Sequence, residues 1–136
     1  MDKFVDLHTH STASDGSMMP SEIVRHAKES GLSAVALTDH DTVDGIKQAV
    51  EEGKKIGFEV VPGLEISLDY STEMHMLGYF FDDSYMKIEP LLERFRRSRE
   101  ERNPKMVEKL NSLGFDITME EVVAEARGRV VARPHM

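Results

Sequence analysis

The stretch FVDLHTHSTASDG, residues 4–16, sets two histidines one residue apart at the end of a short apolar run and an aspartate five residues beyond the second. On a strand successive side chains alternate between faces, so His8 and His10 point the same way and can share one ion, which adjacent histidines could not. Asp15 lies just beyond in a loop, where Asp15-Gly16 also reads as a turn. A strand that ends in convergent ligand types predicts a site at its C-terminal end.

The same rhythm recurs downstream. After KFVDLHT, the segment PSEIVRHAKESG (20–31) predicts a helix, with Pro20 in its first turn, Ile23, Val24 and Ala27 on one face and Gly31 as a stop. SAVALTDH (33–40) is a second buried strand, and TVDGIKQAVEEGKKIG (42–57) a second helix closed by Gly57, with Val43, Ile46, Ala49, Val50 and Ile56 at helical spacing. FEVVPGLEISL (58–68) and MHMLGYF (74–80) predict two more strands, and the polar DYSTE between them reads as a hairpin rather than a crossover. Parallel βα units with a late hairpin fit an α/β barrel or an open sheet.

Beyond residue 86 the pattern turns helical. IEPLLERFRRSREER (88–102) is a charged amphipathic helix that Asn103-Pro104 is expected to interrupt; KMVEKLNSLG (105–114) resumes it. TMEEVVAEARG (118–128) opens with a capping box from Thr118 to Glu121. Arg94, Arg96, Arg97, Arg99 and Arg102, interleaved with Glu93, Glu100 and Glu101, read as a solvated face ahead of a nucleic-acid patch. His26, on a charged helix with no cluster around it, takes no site role, and the nine methionines are expected to fill the core.

Composition narrows the chemistry. The chain is 40% hydrophobic and 31% charged over 136 residues, an ordinary globular composition. With no cysteine, any metal site must use nitrogen and oxygen. No apolar run approaches the ~18 residues of a membrane span, and MDKFVDLHTH becomes polar too early for a signal peptide, so the expected location is the cytoplasm. A net charge of −8 disfavours broad coating of nucleic acid.

Ligand types mark each strand: His8, His10 and Asp15 at the first, Asp39 and His40 at the second, Glu65 at the third, with His75 returned to the same rim by an antiparallel fourth. Together DLHTHSTASDG, ALTDHDT, PGLEIS and MHMLGYF resemble the successive motifs of the PHP (polymerase and histidinol phosphatase) metal-dependent phosphoesterases. They are most similar to the small stand-alone bacterial members that act on nucleoside 3',5'-bisphosphates and short oligoribonucleotides. The resemblance implies an α/β fold, the N-terminal part of a distorted (βα)7 barrel over residues 1–86, a helical insertion over 87–128, and the start of a return to the barrel over 129–136. A (βα)8 barrel takes about 250 residues. The remainder is therefore expected on a C-terminal part or another chain.

The resemblance also implies two or three divalent ions, Mn²⁺ first, with Fe²⁺, Zn²⁺ or Mg²⁺ as alternatives. His8, His10 and Glu65 would hold one, Asp15 and His40 a second, and Glu65, bridging, with His75 a third. Arg133 and His135, in an Arg-Pro-His motif, would contact the substrate phosphate. The implied reaction is attack of a metal-activated water on a phosphomonoester or terminal phosphodiester of a nucleotide or short oligoribonucleotide, with no protein nucleophile. Two alternatives stand beside it. His-x-His after a first barrel strand also opens the amidohydrolase pattern, which cleaves C–N bonds; a truncated fragment that only binds metal or a partner chain is the other.

Overall fold

The computed structural model describes residues 3–68, 71, 74–80, 82–127 and 130–136. Four strands, β1 (Val5–Thr9), β2 (Ala34–Leu37), β3 (Glu59–Leu68) and β4 (Met74–Tyr79), form one sheet in the order β1-β2-β3-β4. The first three are parallel, connected by α1 (Pro20–Glu29) and α2 (Ile46–Ile56), and β4 returns antiparallel to β3. The α/β expectation and the hairpin pairing both hold. Asp69, Tyr70, Thr72 and Glu73 of the expected turn lie outside the described residues.

β2 is buried along its whole length, which is why AVAL shows no polar alternation. Val35 and Leu37 pack with Val24 and Ala27 of α1 and Ala49 of α2, and Ile23, Leu32, Ile56, Phe58 and Val60 close the cluster. Each valine or leucine buried this way contributes about 1.5–3 kcal/mol, so β2 anchors the sheet. α1 begins where Glu22 Oε2 accepts the Met19 N–H at 2.8 Å, and α2 ends on Gly57, whose φ of 64° is the left-handed cap that glycine adopts without strain. α2 starts at Ile46, later than the 42–57 reading, because residues 41–45 are spent turning the chain: the Asp44 N–H donates to Thr42 Oγ1 and the Ile46 N–H to the Val43 carbonyl.

The sheet is curled. The Tyr79 hydroxyl on β4 donates to the Leu7 carbonyl on β1 at 2.8 Å. Those strands stand three inter-strand spacings apart, about 14 Å in a flat sheet, beyond the reach of a tyrosine. β1 is an edge, with Val5 and Leu7 largely exposed. The methionines are not core: none of the eight described ones is fully buried, and Met18, Met19, Met74, Met76 and Met86 are exposed, because Val, Ala, Leu and Ile already fill the narrow space between helices and sheet.

A 3₁₀ turn over Asp83–Lys87 leads into α3 (Glu89–Ser112), a single helix of 24 residues. The expected break at Asn103-Pro104 does not occur. Pro104 is exposed, as is Glu100, so the carbonyl that loses its N–H partner can turn to water. The face that carries Leu92, Arg99, Asn103 and Val107 is buried, and Asn103 Nδ2 donates to the Val131 carbonyl at 3.1 Å. α4 (Met119–Ala126) starts on the predicted box, with Thr118 Oγ1 accepting the Glu121 N–H and Glu121 Oε2 accepting the Thr118 N–H. No helix among the described residues is long and apolar enough to cross a membrane.

Candidate metal centre

Backbone pairing brings the ligand types together. Beyond β2 the chain makes a parallel bridge between His40 and Glu65, in which the Glu65 N–H donates to the Asp39 carbonyl and the Asp41 N–H to the Glu65 carbonyl. On the far side of β3, Ser67 faces His75 across the antiparallel pair. Residues two apart share a strand face, so Glu65, Ser67 and His75 share one. On the near side the Thr38 N–H donates to the Thr9 carbonyl, which sets the end of β1 beside the approach to His40. Glu65 stands inside β3 rather than at its end, because residues 63–68 are held as strand by β4.

The result is three overlapping groups whose ligand atoms lie within 4.8 Å of one another: His8, His10 and Glu65; His10, Asp15 and His40; His40, Glu65 and His75. Glu65 is the hub. Its Oε2 lies 3.2 Å from His8 Nε2, 3.0 Å from His10 Nε2 and 3.4 Å from His40 Nδ1, and its Oε1 lies 2.7 Å from His75 Nδ1. Asp15 stands 3.4 Å from His10 Nδ1 and 3.6 Å from His40 Nε2. The structure thus brings all six predicted ligands into one cluster, with His10 and His40 each reaching two groups.

Charge and burial suit this set to divalent cations. His8 and His10 turn ring nitrogens toward each other at 3.1 Å, and the His10 and His40 rings lie 4.6 Å apart. Burial pushes the His40 imidazole below its ordinary value; Asp15 and Glu65 pull it up, His10 and Arg99 push it further down, and the balance is downward. Burial pushes the Glu65 carboxyl up, but hydrogen bonds with His8 and His75 and the charges of His40 and His10 outweigh that and hold it below its ordinary value. Neutral imidazole and ionised carboxylate are the forms that bind metal. Among the described residues, His10 Nδ1 and His40 Nδ1 are also buried with no hydrogen-bond partner, an expense that a cation would remove.

Asp39, read from the sequence as a ligand type beside His40, belongs to none of the three groups. Its carboxylate instead holds the 11–14 loop, a role not assigned from the sequence: it accepts the Ser11 N–H at 2.6 Å, the Ser11 hydroxyl at 2.7 Å and the Ser14 hydroxyl at 2.7 Å. Burial pushes its carboxyl up, and the bonds from Ser14 and Ser11 with the charge of His10 offset part of that. The three-residue spacing of Ser11 and Ser14 within one turn was the available signal. The arginine helix is only in part the solvated face expected: Arg94 and Arg97 are exposed, but Arg99 is buried against Asp41, since its register on α3 points it at the sheet rim. Arg133 and His135 form a 3₁₀ turn. His135 Nδ1 accepts the Ala132 N–H at 3.0 Å, and Arg133 lines a cavity of about 470 Å³ with Met106, Lys109, Leu110, Phe115 and Met136, a lining that includes none of the six clustered residues. His26 lines a second cavity of about 280 Å³ that touches His10.

Known proteins resemble this chain in sequence and in fold. A 5'-3' exoribonuclease of Haemophilus influenzae is 38% identical over 131 residues, covering 96% of this chain and 48% of its own. A 3',5'-nucleoside bisphosphate phosphatase of Chromobacterium violaceum is 31% identical over 112 residues, covering 82% and 39%. The chain spans about half the length, or less, of these curated relatives. Among solved structures, a candidate metal-dependent phosphoesterase of Bifidobacterium adolescentis superposes with a TM-score of 0.84 at 36% identity, over 98% of this chain and 48% of that one. A Chromobacterium violaceum protein described as an amidohydrolase, with bound sulfate and no metal, gives 0.84 at 27% identity, over 96% and 47%. The PHP domain model matches residues 6–123, the span that carries all six clustered side chains, and the chain accordingly belongs to the PHP domain family.

Proposed function

We propose that the protein is a metal-dependent phosphoesterase that hydrolyses a phosphomonoester or a terminal phosphodiester of a nucleotide-like substrate. The observation that carries this reading is the convergence of four imidazoles and the Asp15 carboxylate around Glu65 in three overlapping groups. In it His8, His10 and Glu65 hold one divalent ion, Asp15 and His40 a second, and Glu65 with His75 a third. Mn²⁺ is the proposed metal, with Fe²⁺, Zn²⁺ and Mg²⁺ as alternatives that mixed nitrogen and oxygen ligation also accommodates. When bound, such ions supply a water of lowered pKa and a clamp on phosphoryl oxygens.

The chain's own side chains prepare that chemistry. Burial keeps His40 in its neutral, ligating form, and the imidazoles keep Glu65 ionised. Asp39, through Ser11 and Ser14, holds the loop that presents Asp15. Arg133 is the proposed bidentate phosphate contact, a geometry lysine cannot copy, with His135 beside it. The nucleotide-like substrate rests on what the Haemophilus and Chromobacterium relatives are named for. Glu65 on the third strand, together with Asp15 and His40, favours ester over C–N hydrolysis.

The test supplies the 136-residue chain with Mn²⁺ and a nucleoside 3',5'-bisphosphate, and follows phosphate; a parallel reaction with an aminated base follows ammonia. Phosphate release abolished in the His8→Ala/His10→Ala variant is expected. Ammonia without phosphate, or phosphate release that survives the double substitution, would refute the proposal.

A further inference from the structure

Asp41 follows the His40 ligand, and its conformation is unusual: φ is 50°, in the left-handed region that a non-glycine residue enters at a cost. It is 1% exposed. Its bonds run to β3 and to α3. Its N–H donates to the Glu65 carbonyl, its carbonyl accepts from Arg96 Nη1 at 3.0 Å, and its Oδ2 accepts from Arg99 Nε at 2.5 Å. Arg99, itself 8% exposed, donates from Nη2 to Ser67 Oγ at 2.8 Å, two residues beyond Glu65 on the same strand face. α3 therefore reaches both ligand-bearing segments through one buried guanidinium.

A buried ion pair is a poor source of stability, because desolvating both charges offsets their attraction, and an apolar pair would serve better if cohesion were its only use. What an ion pair with fixed fork geometry supplies is registration. Among the described residues of α3, Leu92 and Val107 are the fully buried apolar side chains and Phe95, Met106 and Leu110 are half-buried, so the buried polar bonds carry a share of its seating on the rim. We propose that Asp41 and Arg99 are positioning residues of the metal centre: the helical insertion locks the turn after His40 and thereby fixes His40 against Glu65. The inference rests on the metal reading above and gives the insertion a task within the site.

The experiment titrates Co²⁺ into the full chain, reading affinity by calorimetry and ligand geometry by the visible d–d absorption, with folding checked by circular dichroism. Arg99→Gln and Asp41→Asn are expected to fold, to bind Co²⁺ about 10–100-fold more weakly, the range seen when groups that orient ligands are lost, and to show an altered spectrum. Arg99→Lys keeps the charge opposite Asp41 without the second bond to Ser67 and is expected to fall between them and the native chain. Asn103→Ala is the control: Asn103 is also buried on α3 but ties it to Val131 rather than to a ligand segment, and Co²⁺ affinity within about twofold of native is expected. Native affinity and spectrum in Arg99→Gln would overturn the proposal, as would an Asn103→Ala variant weakened to the same degree. If Arg99→Gln does not fold, Ser67→Ala removes the guanidinium's bond to β3 alone, and an unchanged cobalt spectrum there overturns it equally. A native chain that binds no Co²⁺ refutes the metal reading itself, and the positioning role with it.

Discussion

Replacing Gly16 with alanine probes the loop that carries Asp15. A Cβ built at Gly16 would stand 2.0 Å from the His10 carbonyl oxygen, 2.5 Å from its carbon and 2.9 Å from the Ser11 Cα, all main-chain atoms. Real Cβ contacts stop at about 3.0 Å, so residues 10 and 16 must part by about 1 Å. That separation breaks the Gly16 N–H bond to the Ser11 carbonyl, now 2.9 Å, and loosens the 3.0 Å bond from Ser14 to the same oxygen. Two such bonds cost about 1 kcal/mol each and crowding about 1–2 kcal/mol, offset by about 0.5–1 kcal/mol from the stiffer unfolded chain, leaving roughly 2–3.5 kcal/mol of destabilisation. Metal binding suffers more, because ligand distances tolerate about 0.2 Å while His10 and Asp15 flank the displaced contact. The expected outcome is a chain that folds, unfolds at lower urea, and binds Mn²⁺ about 10–100-fold more weakly. Urea denaturation and calorimetric titration measure both. A variant with the native urea midpoint and native Mn²⁺ affinity would refute the packing argument.

Two further outcomes follow from titrating groups and a helix cap. In metal-free protein His40 has its pKa lowered from 6.5, so the unfolded chain takes up its proton first; stability is full above the ordinary imidazole range and falls as pH drops through it. The Glu65 carboxyl, held below 4.5, adds stability that is present above that value and disappears at still lower pH. Urea midpoints in a chelator should decline on acidification through the imidazole range, and His40→Asn should remove that first decline; equal declines in both chains would contradict the assignment. At the start of α4, hydrogen bonds from Thr118 hold the Glu121 carboxyl below its ordinary value, so the capping box persists above the ordinary Glu range and frays as pH falls through the lowered value. Thr118→Ala should destabilise the chain by about 1 kcal/mol, with faster amide exchange confined to the first turn of α4, and exchange that spreads through α3 would argue for a different role.

Much of the site could be read before folding because its information is local. His8 and His10 share a face through strand alternation alone, and the repeated strand-then-helix pattern assigned Glu65, His40 and His75 to one rim from hydrophobic periodicity. The capping box at Thr118 and the left-handed cap at Gly57 are set within one turn of helix and were equally legible. Where residues meet across long separations, local rules fall silent. Pro104 reads as a helix break by its missing N–H, yet burial of Leu92, Asn103 and Val107 on either side of it in the helix carries α3 through it. The methionines read as core by hydrophobicity and are surface by position. Arg99, one arginine among five in a charged helix, acquires its partner 58 residues away only when α3 crosses the rim of the sheet. The sequence by itself determined the strand–helix order and the ligand types, since both follow from spacing along one chain. Which charges are buried, which loop Asp39 braces and which helix holds Asp41 were decided only by the tertiary structure, because desolvation and hydrogen-bond geometry exist only once distant segments exclude water from between them.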